Sequence, residues 1–363
     1  MTDTFAFAVG LRNTNGAGLV LDCLYPAPVM HPDGAAREAA ASLPAGVKAL
    51  SETQLQTLIS AAPELVPMSL LAAQQGCNSQ HEIIAIRLTA DEDIGSTEEA
   101  YLKLHLLSHR LALPNTLNLK GIFAHLPNLA WTSAGPIEVS ELPEALMNAR
   151  GQGLNLEVFS IDKFPKMVNY VVPAGVRIAD ASRIRLGAYL GDGTTVMHEG
   201  FVNFNAAALG PNMVEGRISQ GVIIGAGTDL GGSSSTQGTL SGGGEIVISI
   251  GEQCLVGANA GTGIPLGDRC TIEAGLYITA GTPIMVVDET GEEVQRVKAR
   301  ELARQSDMLF IRDAKSGQVL CKTNRKAIEL NDALHSHNSV SYTHLRAHET
   351  GRNLVCRRLL EKK

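Results

Sequence analysis

Residues 177–214 read RIADASRIRLGAYLGDGTTVMHEGFVNFNAAALGPNMV. Ile178, Ile184, Leu190, Val196, Val202, Ala208 and Val214 stand six residues apart without a miss, with small, polar and glycine residues between them. An aliphatic side chain at every sixth position is the pattern of a β-helix built from hexapeptides. The cause is geometric. Each hexapeptide supplies one short strand and one tight turn, three close a triangular coil, and the recurring aliphatic residue fills the axis. Stacked coils then lie about 4.8 Å apart, the spacing of paired strands.

Beyond this stretch the phase shifts, and Ile224 and Leu230 carry the pattern on. Ile250 and Val256, each followed by glycine, form another pair, and Leu266, Ile272, Ile278 and Ile284 restore the register. The repeat predicts a left-handed parallel β-helix over residues 173–285, about six coils at roughly 18 residues each. The segment STQGTLSGGGEIV (235–247) interrupts it, and a solenoid accepts such an insertion as a loop leaving one edge. Gly242 to Gly244 make that loop a candidate lid or cradle. After Pro283 the period ends. VQRVKARELARQ (294–305) reads as a basic helix and DMLFIRDAKSGQVLCKT (307–323) as a hairpin around Lys315–Gly317. Together they predict a small C-terminal cap over 286–338, which would cover the pairing groups of the last coil.

The first 172 residues read as an α/β domain. FAFAVG (5–10), GLVLDCLY (18–25) and EIIAIRL (82–88) are strand-like, and ETQLQTLISAA (52–62) has helical spacing of Leu55, Leu58 and Ile59. STEEAYLKLHLLSHRLAL (96–113) is the clearest helix: Ser96 can cap it, Glu98 and Glu99 suit its positive end, and Leu102, Leu106 and Leu107 build one face. An internal boundary is expected near Pro114 or at Gly135–Pro136.

Composition fits this picture. The 363 residues are 44% hydrophobic and 18% charged, as in ordinary globular proteins, and 37 glycines beside 4% aromatics favour tight turns packed with aliphatic side chains. A net charge of −7 weighs against nucleic acid as a partner. No apolar run reaches the roughly 20 residues of a membrane span. The opening MTDTFAFAVG lacks the basic and apolar regions of a secretory signal, and six cysteines without CxxC spacing point to reduced thiols; a cytoplasmic location is expected. Residues 339–363 break with all of this, carrying six basic and two acidic side chains. They resemble translated sequencing-adapter sequence and are read as a non-native tail, which removes His344, His348 and Cys356 from consideration.

Chemistry-bearing residues are few in the repeat. Between His125 and His335 the only histidine is His198, too few for a three-histidine metal site but enough for a general base. His105 and His109 stand i, i+4 on the predicted helix and lack a third ligand nearby, so they read as surface and core residues. NMVEGRIS (212–219) places Glu215 and Arg217 two residues apart. Val214 is axial by the period, so Glu215 points outward, and as i and i+2 in a strand the two charges share a face. They form either a solvated ion pair or, in a trimer packed flank to flank, part of a cleft between subunits. A second acyltransferase using His198 and a non-catalytic solenoid stay open on these grounds.

HEGFVNFNAAALGPNMVEGRIS (198–219), GTLSGGGEIVISIG (238–251), CLVGANAGTGIPLGDRCTIEAGLYITAGT (254–282) and VKAREL (297–302) closely resemble the long form of the tetrahydrodipicolinate N-succinyltransferase family, within the hexapeptide-repeat acyltransferases. EEAYLKLHLLSHRL (98–111), DKFPKMVNYVVPAGVRIADASRIRLGAYL (162–190) and IELNDALHSHN (328–338) extend the resemblance, while the first 95 residues match less distinctly. It implies succinyl transfer from succinyl-CoA to the amino group of ring-opened tetrahydrodipicolinate, in the succinylase route to diaminopimelate and lysine. It also implies a homotrimer and no tightly bound cofactor. By matching motifs, Glu215 would carry an acyl-anhydride and Arg217 would contact the donor. Gly232, Ser235, Ala258, Glu273, Ala274, Gly281 and Lys298 would be further donor-site positions, with Leu309, Phe310, Ile311 and Arg312 near the CoA tail. A magnesium ion on the trimer axis is implied at Glu199, although Ser182 stands where its acidic partner is expected, with Asp180 close by.

Overall fold

The structure, a computed structural model, describes residues 3–238 and 247–323. Three stacks of short parallel strands form the predicted solenoid. One contains Thr195–Val196, Met213–Val214, Asp229–Leu230, Leu255–Val256 and Thr271–Ile272, and is called here the Val214 sheet. The second, the Arg217 sheet, contains Phe201–Val202, Arg217–Ile218, Ser235–Thr236, Gly261–Thr262 and Tyr277–Ile278. The third runs from Tyr189–Leu190 through Ala207–Ala208 and Ile223–Ile224 to Ser249–Ile250. In each two-residue strand the second side chain points to the axis, so Val196, Val202, Ala208, Val214, Ile218, Ile224, Val256, Ile272 and Ile278 are buried in one continuous core.

The ladder also explains the phase shift. Ile178 pairs with Val196 and Val196 with Val214, each a coil of 18 residues, but Val214 pairs with Leu230 and Val202 with Ile218, coils of 16. One corner has lost two residues, so Ile218 reaches the axis only four positions after Val214. Leu230 pairs with Val256 across 26 residues, because an insertion leaves after the strand Ser235–Thr236. The candidate lid glycines, Gly242 to Gly244, fall outside the described residues.

Residues Ala6–Thr14, Val20–Leu24, Val29–Met30, Gly46–Ala49 and His81–Leu88 make an antiparallel sheet. Glu52–Ala61 is helical as expected, with a reciprocal Ser51–Gln54 capping box and Leu55, Leu58 and Ile59 buried. The helix Thr97–Ser108 is capped by Ser96, whose hydroxyl accepts the Glu99 N–H at 3.2 Å. It is not amphipathic, however. Every residue from Ala100 to Ser108 is buried, because the sheet covers one side of it and the first coil of the solenoid the other. Lys103 is tolerated there because its ammonium meets Asp91 Oδ1 at 2.6 Å and the Glu92 and Asn118 carbonyls at 2.7 and 2.6 Å. Ser108 Oγ donates to the Ala188 carbonyl at 3.1 Å and accepts the Gly187 N–H at 2.8 Å, seating the helix on the solenoid.

Leu129–Thr132, Gly135–Glu138 and Val158–Asp162 form a second small antiparallel sheet. Gly135–Pro136 therefore opens a hairpin strand and is not a boundary. The expected basic helix at 294–305 is also corrected: Glu293–Lys298 is a strand paired antiparallel with Pro283–Val287, followed by one turn at Ala299–Leu302. Its backbone groups find partners along Pro283–Val287, and that pairing overrides the helical pattern. Met308–Arg312 and Val319–Thr323 form the predicted hairpin, and Leu309 and Phe310 pair with Thr271 and Ile272 as the last rung of the Val214 sheet.

Candidate active site

Glu215 stands where the chain turns from the Val214 sheet into the Arg217 sheet. This corrects the expectation that Glu215 and Arg217 share one strand face: Met213–Val214 and Arg217–Ile218 belong to different sheets, and the two charges lie on either side of a corner. The corner is tight for a reason visible at Gly216, where a Cβ would lie 2.1 Å from Ser234 Oγ and 2.7 Å from the Ser234 carbonyl oxygen. Glycine permits the close approach. Ser234 itself is buried, and its hydroxyl has no hydrogen-bond partner among the described residues.

The equivalent corners of later coils stack above Glu215 into one edge. The Ser233 N–H donates to the Glu215 carbonyl at 3.3 Å, the Asn259 N–H to the Gly232 carbonyl at 2.9 Å, and the Gly275 N–H to the Ala258 carbonyl at 2.8 Å. At the top the Arg312 N–H donates to Glu273 Oε2 at 2.7 Å. Ser233, Asn259 and Gly275 all adopt left-handed φ, of 58°, 55° and 74°, which turns the chain at each level. Glu215, Gly232, Ala258, Glu273, Ala274 and Arg312, scattered over 98 positions of sequence, thus line one edge in order. A Cβ added to Gly232 would lie 3.6 Å from Glu215 Oε2, so the carboxylate leans toward the next corner up.

Arg217 lies on the outward face of its sheet. Its Nε and an Nη donate to Ser235 Oγ, one rung up, at 3.1 and 2.7 Å. No ion pair joins Glu215 to Arg217 among the described residues, so the solvated-pair reading fails. The carboxylate remains free to react while the guanidinium is held by a neutral hydroxyl. Phe201 lies one rung below Arg217, Gly261 one rung above Ser235, and Tyr277 above that with its ring over Gly261. Sequence reading passed over Phe201 and Tyr277. The signal was available: both stand one coil length from residues already singled out or paired with them.

Gly281 and Lys298 lie near one another past the end of the strand Tyr277–Ile278, where the chain leaves the Arg217 sheet. Gly281 lies in the exposed turn Thr279–Thr282, and the pairing of Pro283 with Lys298 brings the lysine beside it. The Lys298 backbone N–H is held by Glu301 Oε1 at 2.9 Å. Leu309 and Ile311 are half-buried on the last rung, whereas Phe310 is 0% exposed and fills the axis, so its side chain closes the solenoid.

His198 and Glu199 sit on the same edge one coil below Glu215, largely exposed, with His198 Nε2 3.7 Å from Glu199 Oε1. Asp180 is occupied locally: the Ser182 hydroxyl and N–H donate to it at 2.6 and 2.8 Å and hold its carboxyl below the usual range. Among the described residues no group of three His, Cys, Asp or Glu side chains is placed to hold a metal ion. His105 and His109 are structural. His105 Nε2 accepts the Tyr25 N–H at 3.2 Å, Nδ1 faces the Tyr101 carbonyl at 2.7 Å, and burial pushes its pKa down to about 3.

A solenoid of stacked hexapeptide strands is the architecture of the hexapeptide-repeat acyltransferases, and here it sets a carboxylate and a guanidinium on either side of one open corner. Comparison with known proteins agrees and narrows it. Residues 247–280 match the family described as the hexapeptide repeat of succinyl-transferase, and residues 126–166 the tetrahydrodipicolinate N-succinyltransferase middle family. The 2,3,4,5-tetrahydropyridine-2,6-dicarboxylate N-succinyltransferase of Pseudomonas aeruginosa is 55% identical over 92% of this chain and 98% of its own length. That of Vibrio cholerae is 49% identical over 92% and 99%. A crystal structure from Campylobacter jejuni, titled a 2,3,4,5-tetrahydropyridine-2-carboxylate N-succinyltransferase, superposes with a TM-score of 0.79 at 30% identity, covering 90% of this chain and 94% of that one. The chain belongs to the tetrahydrodipicolinate N-succinyltransferase family.

Proposed function

We propose that this enzyme transfers succinyl from succinyl-CoA to the amino group of ring-opened tetrahydrodipicolinate, the step that leads toward diaminopimelate and lysine. The observation that carries the reading is the corner itself: Glu215 unpaired on one side, and Arg217 fixed by Ser235 on the other. Guanidinium forks match carboxylates, so Arg217 is assigned to the succinyl carboxylate of the donor. Glu215 then faces the thioester. In one route its carboxylate oxygen attacks the thioester carbon, the C–S bond breaks with release of CoA thiolate, and the acceptor amine opens the mixed anhydride, returning the carboxylate while the amine's proton goes to the thiolate. In the other, the amine attacks the thioester directly while Glu215 takes its proton and passes it to the departing thiolate. Backbone N–H groups along the glycine-rich edge are suited to the oxyanion in both.

The donor is assigned to the column of Gly232, Ala258, Glu273 and Ala274, with its tail toward Leu309–Arg312 and with Gly281 and Lys298 past the end of the Arg217 sheet. A neighbouring copy packed against the outward face of the Arg217 sheet would turn the open edge into a cleft, and a homotrimer supplies that neighbour. The domains proposed are 1–172, 173–285 and a cap over 286–338, followed by the tail 339–363; residues 324–363 lie outside the described residues. No helix among the described residues is long and apolar enough to cross a membrane, and a cytoplasmic location is proposed. A magnesium ion at Glu199 would need copies of that residue from several subunits, and no step of the reaction runs through it. CoA release that requires both succinyl-CoA and tetrahydrodipicolinate tests the assignment. Equal release from acetyl-CoA would favour a different acyltransferase, and no release with no CoA binding would favour a non-catalytic solenoid.

A further inference from the structure

Outside the solenoid, the two antiparallel sheets line a half-open pocket of about 290 Å³. Leu11 and Leu24 line it from the first sheet, and Trp131, Pro136 and Phe159 from the second. Asp22 contributes the carboxyl of its inner wall. Tyr170 Oη donates to Asp22 Oδ2 at 2.5 Å, which fixes the carboxyl without supplying charge. Among the described residues no Lys or Arg pairs with Asp22, and His81 is the one basic side chain lining the pocket beside it. Burial raises the Asp22 pKa above the usual carboxylate range, outweighing the hydrogen bonds from Tyr170 and Asn13 and the nearby His81. An adjoining cleft shares Asn13, His81, Ala134 and Pro136, and adds Glu141 and Glu144 to the common rim.

These features select one ligand chemistry. The volume is at the small end of ligand sites, which span roughly 300–1,000 Å³. Aromatic and aliphatic walls favour a flat or compact apolar body. A carboxyl held by a neutral hydroxyl gains most from an incoming ammonium, because charge-assisted hydrogen bonds are strongest where solvent is sparse. The acidic rim disfavours anions. We propose that this cavity is a second ligand site, distinct from the Glu215 edge, that takes a small primary amine, with its ammonium on Asp22 and its apolar body against Trp131 and Phe159.

The chain contains one tryptophan, Trp131, and it lines this pocket, so fluorescence excited selectively at tryptophan reports from the site. The full-length enzyme is titrated with benzylamine, with the neutral benzyl alcohol and with the anionic benzoate, which share one body and differ in charge. The site predicts a saturable change with benzylamine, binding about tenfold or more weaker for benzyl alcohol, and no saturation with benzoate. Asp22→Asn should bring benzylamine down to the level of the alcohol, while Tyr170→Phe, which keeps the ring, should retain the preference for the amine. The comparison among the three probes uses the unaltered protein and stands even if a variant fails to fold. Absence of a saturable response to benzylamine, or equal responses to amine and alcohol, would overturn the proposal.

Discussion

The guanidinium of Arg217 spends two hydrogen bonds, of 3.1 and 2.7 Å, on the hydroxyl of Ser235 one rung above it, and none on Glu215 two residues away. Parallel stacking brings Arg217 and Ser235 side by side, because residues 18 apart in sequence are neighbours on the same outward face. Losing Ser235 should therefore free the guanidinium without removing its charge. Ser235→Ala is expected to raise KM for succinyl-CoA several-fold with kcat nearly unchanged. Arg217→Ala should raise it by about 10- to 100-fold, the worth of a charged hydrogen bond. Steady-state kinetics with the donor varied would check both.

Gly216 and Gly232 predict opposite kinds of damage. A Cβ on Gly216 meets Ser234 at 2.1 Å, partly backbone-restrained, whereas one on Gly232 makes an ordinary 3.6 Å contact with Glu215 Oε2. Gly216→Ala should destabilise the fold by about 2–4 kcal/mol, seen as a lower denaturant midpoint. Gly232→Ala should fold normally and lower activity, because its methyl group occupies space beside the Glu215 carboxylate that the donor is proposed to use. Thermal melts and turnover measured on the same two proteins would separate the effects.

Phe310 closes the top of the solenoid from an axial position, 0% exposed. Phe310→Ala should cost about 3–5 kcal/mol of stability through lost burial and a cavity left at the end of the stack. Urea denaturation monitored by circular dichroism reads this directly. A ligand-contact role for the ring would instead show as a changed KM at unchanged stability.

His105 makes stability depend on pH. Its pKa falls from an ordinary 6.5 to about 3 in the folded chain, because full burial penalises the charged ring, with a smaller contribution from neighbouring His109. Below pH 6.5 the unfolded chain takes up a proton that the folded chain refuses, so stability is full above that pH and falls as the pH drops toward 3. The expected loss is on the order of a few kcal/mol by pH 4. Urea midpoints from pH 8 to pH 4 should decline more steeply for the native chain than for His105→Phe.

The solenoid was legible because an axial aliphatic residue at each strand leaves a period that few other folds produce. The corner that matters most was not. Val214 and Ile218 are four apart, so the six-residue count placed Glu215 and Arg217 on one strand, whereas the shortened turn at Gly216 puts them on two. The strand at 293–298 was hidden for another reason: its pairing with Pro283–Val287 is a tertiary choice, and its local residues read equally well as a helix. Leu102, Leu106 and Leu107 marked one face of the helix at 97–108, but Lys103 and His105 disguised its burial, since their partners come from distant segments. For the candidate site, sequence motifs named Glu215, Gly232, Ala258 and Glu273 without showing that they form one edge. Three-dimensional stacking supplied that relation, together with the places of Ser234, Phe201 and Tyr277 beside it.

The central claim is that Glu215 carries the acyl transfer. The most direct measurement is CoA thiol release by the folded wild-type enzyme and by Glu215→Gln, with succinyl-CoA and tetrahydrodipicolinate supplied separately and together. Release only with both substrates, and its loss by several orders of magnitude in Glu215→Gln at unchanged stability, is the predicted result. Near-wild-type release from a folded Glu215→Gln enzyme would contradict it.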